Sequence, residues 1–260
     1  MTGTVAVTRV QDDIYAAECR LDEGMEVRVL LVLGARRAAV IDTLTSPEEM
    51  APFLSILSES GRPAIVVNTH ADWDHVWGNA AFPGAMVVGH RICRQRLLGE
   101  EERRVLDEKR AERPDRYAQV RLVPPDLTFD TALALDLGGL TLELHHLPGH
   151  TEDCLMAYLP ERRLLFAGDC AEEPFPLLST TRLESWAAGL RAWSERDLAT
   201  VIPAHGRIGG ASLLRENAAY LEALRGPDVM PSLGRLNPTA AAFYRESHAQ
   251  NRAMARSSVV

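Results

Sequence analysis

Apolar and β-branched residues occur in short runs along the first part of the chain, and turn or charged residues separate these runs. Such runs predict an antiparallel meander of strands. The predicted strands are residues 5–10, 14–17, 27–33 and 38–41. Ser46 then precedes a proline and two glutamates, a pattern typical of a helix start, so a helix is predicted at residues 46–60.

The run at residues 64–67 is continuously apolar, which is typical of a strand buried on both faces. Two series of strands, each followed by helical segments, predict an α+β fold in which two αβ halves form a four-layer αββα sandwich. Further strands are predicted at residues 87–89, 133–137, 140–144, 156–159, 164–166 and 200–202, and helices at residues 91–119, 183–196, 212–224 and 240–255.

The order of these elements predicts one domain over residues 1–225, with a helical insertion or lid at residues 91–120. Residues 226–260 are predicted to be a C-terminal extension that packs on the domain or at an oligomer interface. A homodimer is left open by this pattern.

Four potential metal ligands lie in six consecutive positions directly after the apolar run at residues 64–67. In an extended chain, His70, Asp72 and Asp74 share one face, whereas His75 points away. A turn into a short helix at residues 76–80 would bring His75 back, so that one loop could serve two metals. Because imidazole and carboxylate are normal zinc and iron ligands, this stretch predicts a metal site.

Composition limits the classes of partner and the cellular compartments that are expected for the protein. The formal charge is -8, and the basic residues, among which Lys109 is the only lysine, form no stripe, which argues against a nucleic-acid surface. No apolar run is long enough to cross a bilayer, and the start lacks the pattern of a signal peptide. We therefore expect a soluble cytoplasmic protein that acts on a small molecule, without nucleic-acid or membrane partners. The four cysteines lack Cys-x-x-Cys spacing and are expected to be reduced.

Three later segments each end in a small residue and a potential ligand. They are Leu-Pro-Gly-His-Thr at residues 147–151, Phe-Ala-Gly-Asp at residues 166–169 and Ile-Pro-Ala-His-Gly at residues 202–206. Together with the first cluster, and in this order, they resemble the metallo-β-lactamase superfamily. That superfamily carries His-x-His-x-Asp-His, then Gly-His, then Gly-Asp, then a Gly-His-Gly-like element. The resemblance covers residues 27–206, most of the chain.

The resemblance implies an αββα sandwich that binds two divalent metal ions, with zinc favoured and iron or manganese as alternatives. One metal would be held by His70, Asp72 and His150, and the other by Asp74, His75 and His205. Asp169 matches the carboxylate that bridges both metals. Asp42 matches an acidic position near the site, and we expect it to orient a ligand rather than to bind metal.

Asp72 departs from the superfamily pattern, which more commonly has histidine at this position. Three interpretations are open: direct ligation by the carboxylate, binding through water, or a weak first metal position. The substitution resembles flavodiiron-type members, which place a glutamate there. Because Asp72, Asp74 and Asp169 together bring three negative charges, the site would be a weaker Lewis acid and would better tolerate iron(III).

The resemblance predicts a binuclear metal-dependent hydrolase in which Asp74 orients a metal-bridging hydroxide as well as binding metal. The predicted substrate is a small ester, lactone or thioester. The alternative is a diiron oxidoreductase of the same fold, acting on oxygen or a small organic substrate. The intact ligand set disfavours a non-catalytic binding protein. Structural roles are predicted for His90, His145, His146 and His248, and packing roles for Trp73 and Trp77.

Overall fold

The computed structural model describes residues 5–257 of the chain. Residues 1–4 and 258–260, at the ends of the predicted domain and of the predicted extension, lie outside the described residues. The chain divides into two compact units, Met1–Arg20 with Val27–Leu144 and Leu21–Glu26 with His145–Val260.

The elements follow one another in chain order. The strands are β1 (Ala6–Gln11), β2 (Ile14–Arg20), β3 (Glu26–Leu33), β4 (Ala38–Ile41), β5 (Ala64–Asn68), β6 (Met86–His90), β7 (Leu127–Phe129), β8 (Ala132–Asp136), β9 (Thr141–His146), β10 (Leu155–Leu159), β11 (Leu164–Gly168) and β12 (Thr200–Pro203). The α-helices are α1 (Ala51–Ser60), α2 (Trp73–Val76), α3 (Arg91–Leu98), α4 (Glu100–Glu112), α5 (Pro114–Tyr117), α6 (Leu183–Ser194), α7 (Ala211–Ala223) and α8 (Pro238–Ser257).

The first unit contains a sheet in which β1 to β7 lie side by side in chain order. β1 pairs with β2, and β3 with β4, in antiparallel fashion, as the meander prediction requires. From β4 onward the pairs β4–β5, β5–β6 and β6–β7 are parallel. The carboxyl ends of β4 and β5 therefore lie next to each other, and the segments that follow them begin at the same edge of the sheet.

The helices α3, α4 and α5 belong to the core of the first unit. Their buried side chains pack with residues of the segment that follows β5. The cluster comprises Ala71, Val76, Trp77, Cys93, Leu97, Leu106, Tyr117 and Val120. The segment predicted as an insertion or lid therefore packs directly on the segment that carries the candidate ligands.

In the second unit, β10 pairs antiparallel with β11, and β11 pairs parallel with β12. The helices α6 and α7 pack against each other, and α8 covers the segment between β11 and α6 through buried residues such as Tyr244 and Asn251. In the part of the chain that the structure describes, none of the helices combines the length and the apolar character needed to cross a membrane.

Two local predictions need correction. The helix predicted at residues 46–60 is a 3-10 helix at Pro47–Met50 followed by α1, and the Ser46 side chain makes no capping bond. The Glu49 carboxylate instead accepts hydrogen bonds from the amide and the hydroxyl of Thr45. The short helix predicted at residues 76–80 starts earlier, as α2, because the chain turns at Asp72, whose carbonyl accepts the amide of His75.

Candidate functional site

Asp42 organises residues 69–75 of the first unit, the ligand segment, which carries four of the predicted ligands. It follows β4, is fully buried and has a left-handed backbone with φ of 62°, which aspartate tolerates better than most residues. Its Oδ1 accepts the Thr69 amide at 2.7 Å. Its Oδ2 accepts the Thr69 hydroxyl at 2.7 Å and lies 2.9 Å from Nδ1 of His75. One carboxylate thus fixes both ends of the segment that carries the predicted ligands.

This network determines which nitrogen of each histidine carries a proton. The Asp42 carboxylate can only accept hydrogen bonds, so His75 donates through Nδ1. The Thr69 hydroxyl gives its proton to Asp42, so its oxygen accepts from Nδ1 of His70 at 3.0 Å. Both imidazoles therefore present the lone pair of Nε2, and their ring centroids are 4.1 Å apart.

The two histidines of the second unit follow the same rule with backbone carbonyls. Nδ1 of His150 lies 2.9 Å from the carbonyl oxygen of Leu177, and Nδ1 of His205 lies 2.9 Å from that of Glu26. A carbonyl oxygen only accepts, so each imidazole donates through Nδ1 and presents an Nε2 lone pair. Four buried histidines with this pattern have the tautomer that metal-bound histidines commonly show.

Gly149 precedes His150 because the next layer of the unit leaves no room for a side chain. A Cβ at Gly149 would lie 2.1 Å from the indole of Trp186, which is itself fixed by a hydrogen bond of 2.9 Å from its Nε1 to the Cys170 carbonyl. Gly206 follows His205 with φ of 99°, a conformation that suits glycine. Packing thus requires glycine at position 149, and the backbone conformation favours glycine at position 206.

Carboxylate oxygens lie at a common distance from the Nε2 atoms. The Oδ2 atom of Asp74 is 3.6 Å from Nε2 of His75 in the first unit. In the second unit, Oδ2 of Asp169 is 3.7 Å from Nε2 of His150 and 3.5 Å from Nε2 of His205. Two ligand atoms about 2.1 Å from one tetrahedral ion lie about 3.4 Å apart, so these pairs fit a zinc-like metal.

Six of the seven predicted ligands fall in the candidate metal-ligating groups of the described chain, three from each unit. They are His70, Asp74 and His75 in the first unit and His150, Asp169 and His205 in the second. All six are buried. Asp72 lies outside these groups.

Asp72 has a cationic partner that the sequence pattern did not predict. Nη2 of Arg96, in α3, donates to Oδ1 of Asp72 at 2.6 Å and to Oε1 of Glu102 at 2.7 Å. The other oxygen, Oδ2, lies 3.7 Å from Nε2 of His70, close to the spacing of the other carboxylate pairs. Of the two oxygens of Asp72, one is thus bonded to the guanidinium and the other lies near a ligand nitrogen.

Glu172 is a buried carboxyl three residues after Asp169. Its backbone is held by the Asn217 amide, with hydrogen bonds of 2.9 and 2.8 Å. Burial, with a further contribution from the nearby charge of Asp169, raises the pKa of Glu172 to about 7. The same surroundings raise the pKa of the Tyr244 hydroxyl, first through burial and then through Glu172 and Asp169. In the metal-free protein, Glu172 is therefore partly protonated at neutral pH.

The tryptophans of the ligand segment pack with Tyr117. Its ring centroid lies 5.2 Å from that of Trp77 and 6.4 Å from that of Trp73. Nζ of Lys109, the single lysine, lies 4.0 Å above the Trp73 ring as a cation–π contact. The four histidines predicted to be structural contact other groups: His90 bonds the Ile92 amide, His145 the Trp193 ring edge, His146 the Glu152 carbonyl and His248 the Tyr220 hydroxyl.

The sequence is similar to those of a thioesterase and of a hydrolase. Over 177 residues it is 27% identical to the acyl-coenzyme A thioesterase MBLAC2 of Bos taurus, covering 61% of this chain and 63% of that protein. Over 152 residues it is 32% identical to the hydroxyacylglutathione hydrolase of Synechococcus sp., covering 54% of this chain and 48% of that protein. The chain thus spans less than two thirds of the length of these relatives.

Solved structures match over most of the chain. A metallo-beta-lactamase from Pontibacter korlensis aligns with a TM-score of 0.66 at 25% identity, covering 84% of this chain and 99% of that one. The DIM-1 metallo-beta-lactamase aligns with a TM-score of 0.66 at 19% identity over 86% of this chain and 99% of that one. The predicted α+β fold class, the four-layer αββα sandwich, is confirmed by these matches and by the metallo-beta-lactamase superfamily profile, which matches residues 24–205. The chain belongs to the metallo-beta-lactamase superfamily.

Proposed function

We propose that this protein is a binuclear metal-dependent hydrolase that cleaves a small thioester. The observation that carries the proposal is the set of four buried histidines, each of which donates through Nδ1 and presents Nε2. This pattern belongs to metal ligands rather than to a general base, which needs contact with solvent or substrate. Zinc remains our preferred metal because the spacing of nitrogen and carboxylate atoms fits a tetrahedral ion.

The choice of a thioester within the predicted ester, lactone and thioester class rests on the relatives. The acyl-coenzyme A thioesterase and the hydroxyacylglutathione hydrolase both carry thioester substrates in their names. A thioester has a more electrophilic carbonyl and a better leaving group than an ester.

The residues of this chain would divide the work in the following way. When bound, divalent metal ions supply Lewis-acid polarisation of a carbonyl oxygen and make water acidic enough to lose a proton near neutral pH. His70, His75, His150 and His205 would hold the ions through Nε2, with Asp72 and Asp169 as carboxylate ligands. Asp74 would orient the attacking water by accepting its proton at a carboxylate oxygen, in addition to binding metal. Asp42 would keep both histidines of its segment in the ligating tautomer.

Thiol release from a panel of acyl-coenzyme A and acyl-glutathione thioesters tests the proposal. The zinc-loaded protein should release thiol from at least one thioester, and a chelator should stop the reaction until zinc is returned. His75→Ala and Asp169→Ala should abolish turnover while circular dichroism stays unchanged. His146→Ala, which removes a histidine bonded to the Glu152 carbonyl, is the matched control and should remain active.

Three results would overturn parts of this proposal. Full turnover by His75→Ala or Asp169→Ala would remove the metal mechanism. Hydrolysis of esters or lactones without any thioester would retain the hydrolase and exclude the thioester. Protein purified without added metal that contains iron, absorbs in the visible range and consumes oxygen would replace the hydrolase by the diiron oxidoreductase.

A further inference from the structure

The C-terminal helix α8 reaches the surroundings of a candidate ligand through one buried amide. Nδ2 of Asn251 donates to the carbonyl oxygen of Pro176 at 2.9 Å. Oδ1 of Asn251 accepts the amide of Leu178 at 3.0 Å. The two contacts lie on either side of Leu177 in the sequence. One side chain therefore clamps the backbone both before and after this residue.

Leu177 is the residue whose carbonyl oxygen fixes the imidazole of His150. That oxygen lies 2.9 Å from Nδ1 of His150, and the amide of Ser179 returns a hydrogen bond of 2.9 Å to the His150 carbonyl. A second contact to the segment, from the Leu177 amide to Oε1 of Glu172, is longer at 3.4 Å. The direction of the Leu177 carbonyl, and with it the ring of His150, therefore depends on how well the segment is held.

The orientation of the Asn251 amide is itself determined by its partners. Pro176 offers only an acceptor and the Leu178 amide only a donor, so the nitrogen and the oxygen of the side chain cannot exchange places. Nδ2 also donates to the Tyr220 hydroxyl at 3.0 Å, and that hydroxyl lies 3.0 Å from Nδ1 of His248. Asn251 is buried, and its three hydrogen bonds hold it without solvent.

We propose that Asn251 is a positioning residue for the metal ligand His150, acting through the backbone at Pro176, Leu177 and Leu178. The inference rests on the proposed function in one respect, that His150 binds metal. It gives the C-terminal segment a role in the second unit that is distinct from general stability, because Oδ1 of Asn251 accepts the N–H of Leu178, which belongs to the same peptide group as the Leu177 carbonyl that orients His150.

The test compares zinc binding by variants of α8. Asn251→Asp keeps the shape but replaces the donor at Nδ2 by an oxygen that faces the Pro176 carbonyl. We expect its zinc dissociation constant, measured by competition with a chelator, to rise about tenfold. The visible spectrum of the cobalt(II)-substituted protein should also change, because the ring of His150 is reoriented. Gln250→Asp, on the exposed side of the same helix turn, is the matched control and should leave both readouts unchanged.

A stability control separates positioning from general loosening. Leu214→Ala removes a fully buried side chain of α7 in the same unit, and it should lower the melting temperature while zinc affinity stays within about twofold. The positioning role would be overturned if Asn251→Asp left both the zinc affinity and the cobalt spectrum unchanged. It would also be overturned if Leu214→Ala, at a melting temperature similar to that of Asn251→Asp, lost as much zinc affinity as Asn251→Asp does.

His150→Ala distinguishes failure of this inference from failure of the proposed function. If His150→Ala loses zinc and Asn251→Asp does not, only the positioning role is wrong. If His150→Ala keeps the full zinc content and affinity, His150 is not a ligand, and both the positioning role and the proposed ligand set are wrong.

Discussion

Replacing Asp42 by asparagine should reverse the tautomers of two candidate ligands without changing the shape of the site. The Thr69 amide needs an acceptor, so the carbonyl of the new amide takes the place of Oδ1. The amide nitrogen then takes the place of Oδ2, 2.9 Å from Nδ1 of His75, and donates to it. The same nitrogen donates to the Thr69 hydroxyl, whose proton turns to Nδ1 of His70. Both imidazoles then carry their proton on Nε2, where the metal should bind.

The structure sets the size of the effect. Loss of one partner that orients a metal-bound histidine lowers metal affinity by about 10- to 100-fold. Because Asp42 orients two histidines, we expect a loss of about 100-fold in zinc affinity for Asp42→Asn. The substitution also removes the charge from three buried hydrogen bonds, at about 3 kcal/mol of folding stability. A protein of ordinary stability, about 5 to 15 kcal/mol, stays folded after such a loss.

Two measurements on the same sample check this prediction. Nitrogen NMR of the metal-free protein reports the tautomer of each imidazole, and chelator competition reports zinc affinity. Asp126→Asn is the control, because its carboxylate accepts the Val87 amide in the same unit and contacts no candidate ligand. Asp42→Asn that keeps Nδ1–H tautomers at His70 and His75, or binds zinc within twofold of the unsubstituted protein, would refute the reasoning.

Three further predictions concern charge, pH and packing. Arg96→Met removes the cation next to Asp72, so zinc affinity should rise about tenfold and turnover should fall. Arg94→Met, on the same helix, is the control and should change neither. Chelator competition measures the affinity, and thiol release measures the turnover. Folding raises the pKa of Glu172 from 4.5 to about 7, so the metal-free protein should lose about 3 kcal/mol of stability as the pH rises from about 4.5 to above 7. Urea unfolding of Glu172→Gln should show no such loss. Gly149→Ala should cost about 1 to 3 kcal/mol of stability in urea unfolding, because its Cβ collides with an indole, whereas Gly210→Ala should cost little, since nothing lies within 4 Å.

The positions of most strands and helices could be predicted because their signals are local. The predicted strand at residues 38–41 is β4, and the predicted helix at residues 240–255 is α8 at Pro238–Ser257. β7 was not predicted because it has three residues and is defined as a strand by its pairing with β6. The parallel pairs from β4 to β7 have no local signal either, since parallel pairing joins segments that are distant in sequence.

The candidate ligands could be predicted because motif spacing and residue type identify them, and the resemblance also predicted that Asp42 orients a ligand. The particular atoms that Asp42 contacts, and the other supporting contacts, could not be predicted. Asp42 and Thr69 are 27 residues apart, and Asn251 and Leu178 are 73 residues apart. No sequence period links such positions. Only the folded chain shows which carbonyl or carboxylate faces Nδ1 of a histidine. Thr69 had one weak signal, its position next to His70, whereas an asparagine on an amphipathic helix has none.

Arg96 changes the meaning of Asp72. The sequence-based argument for iron counted Asp72 as an added negative charge in place of a neutral imidazole. The structure places the guanidinium of Arg96 at 2.6 Å from that carboxylate and at 2.7 Å from the carboxylate of Glu102, so one positive charge faces two negative charges. The side chains of Arg96 and Asp72 are mostly buried, at 27% and 25% exposure, so solvent screens their interaction only partly. The guanidinium therefore offsets part of the negative charge on which the argument for iron rests, and the aspartate is compatible with a zinc hydrolase.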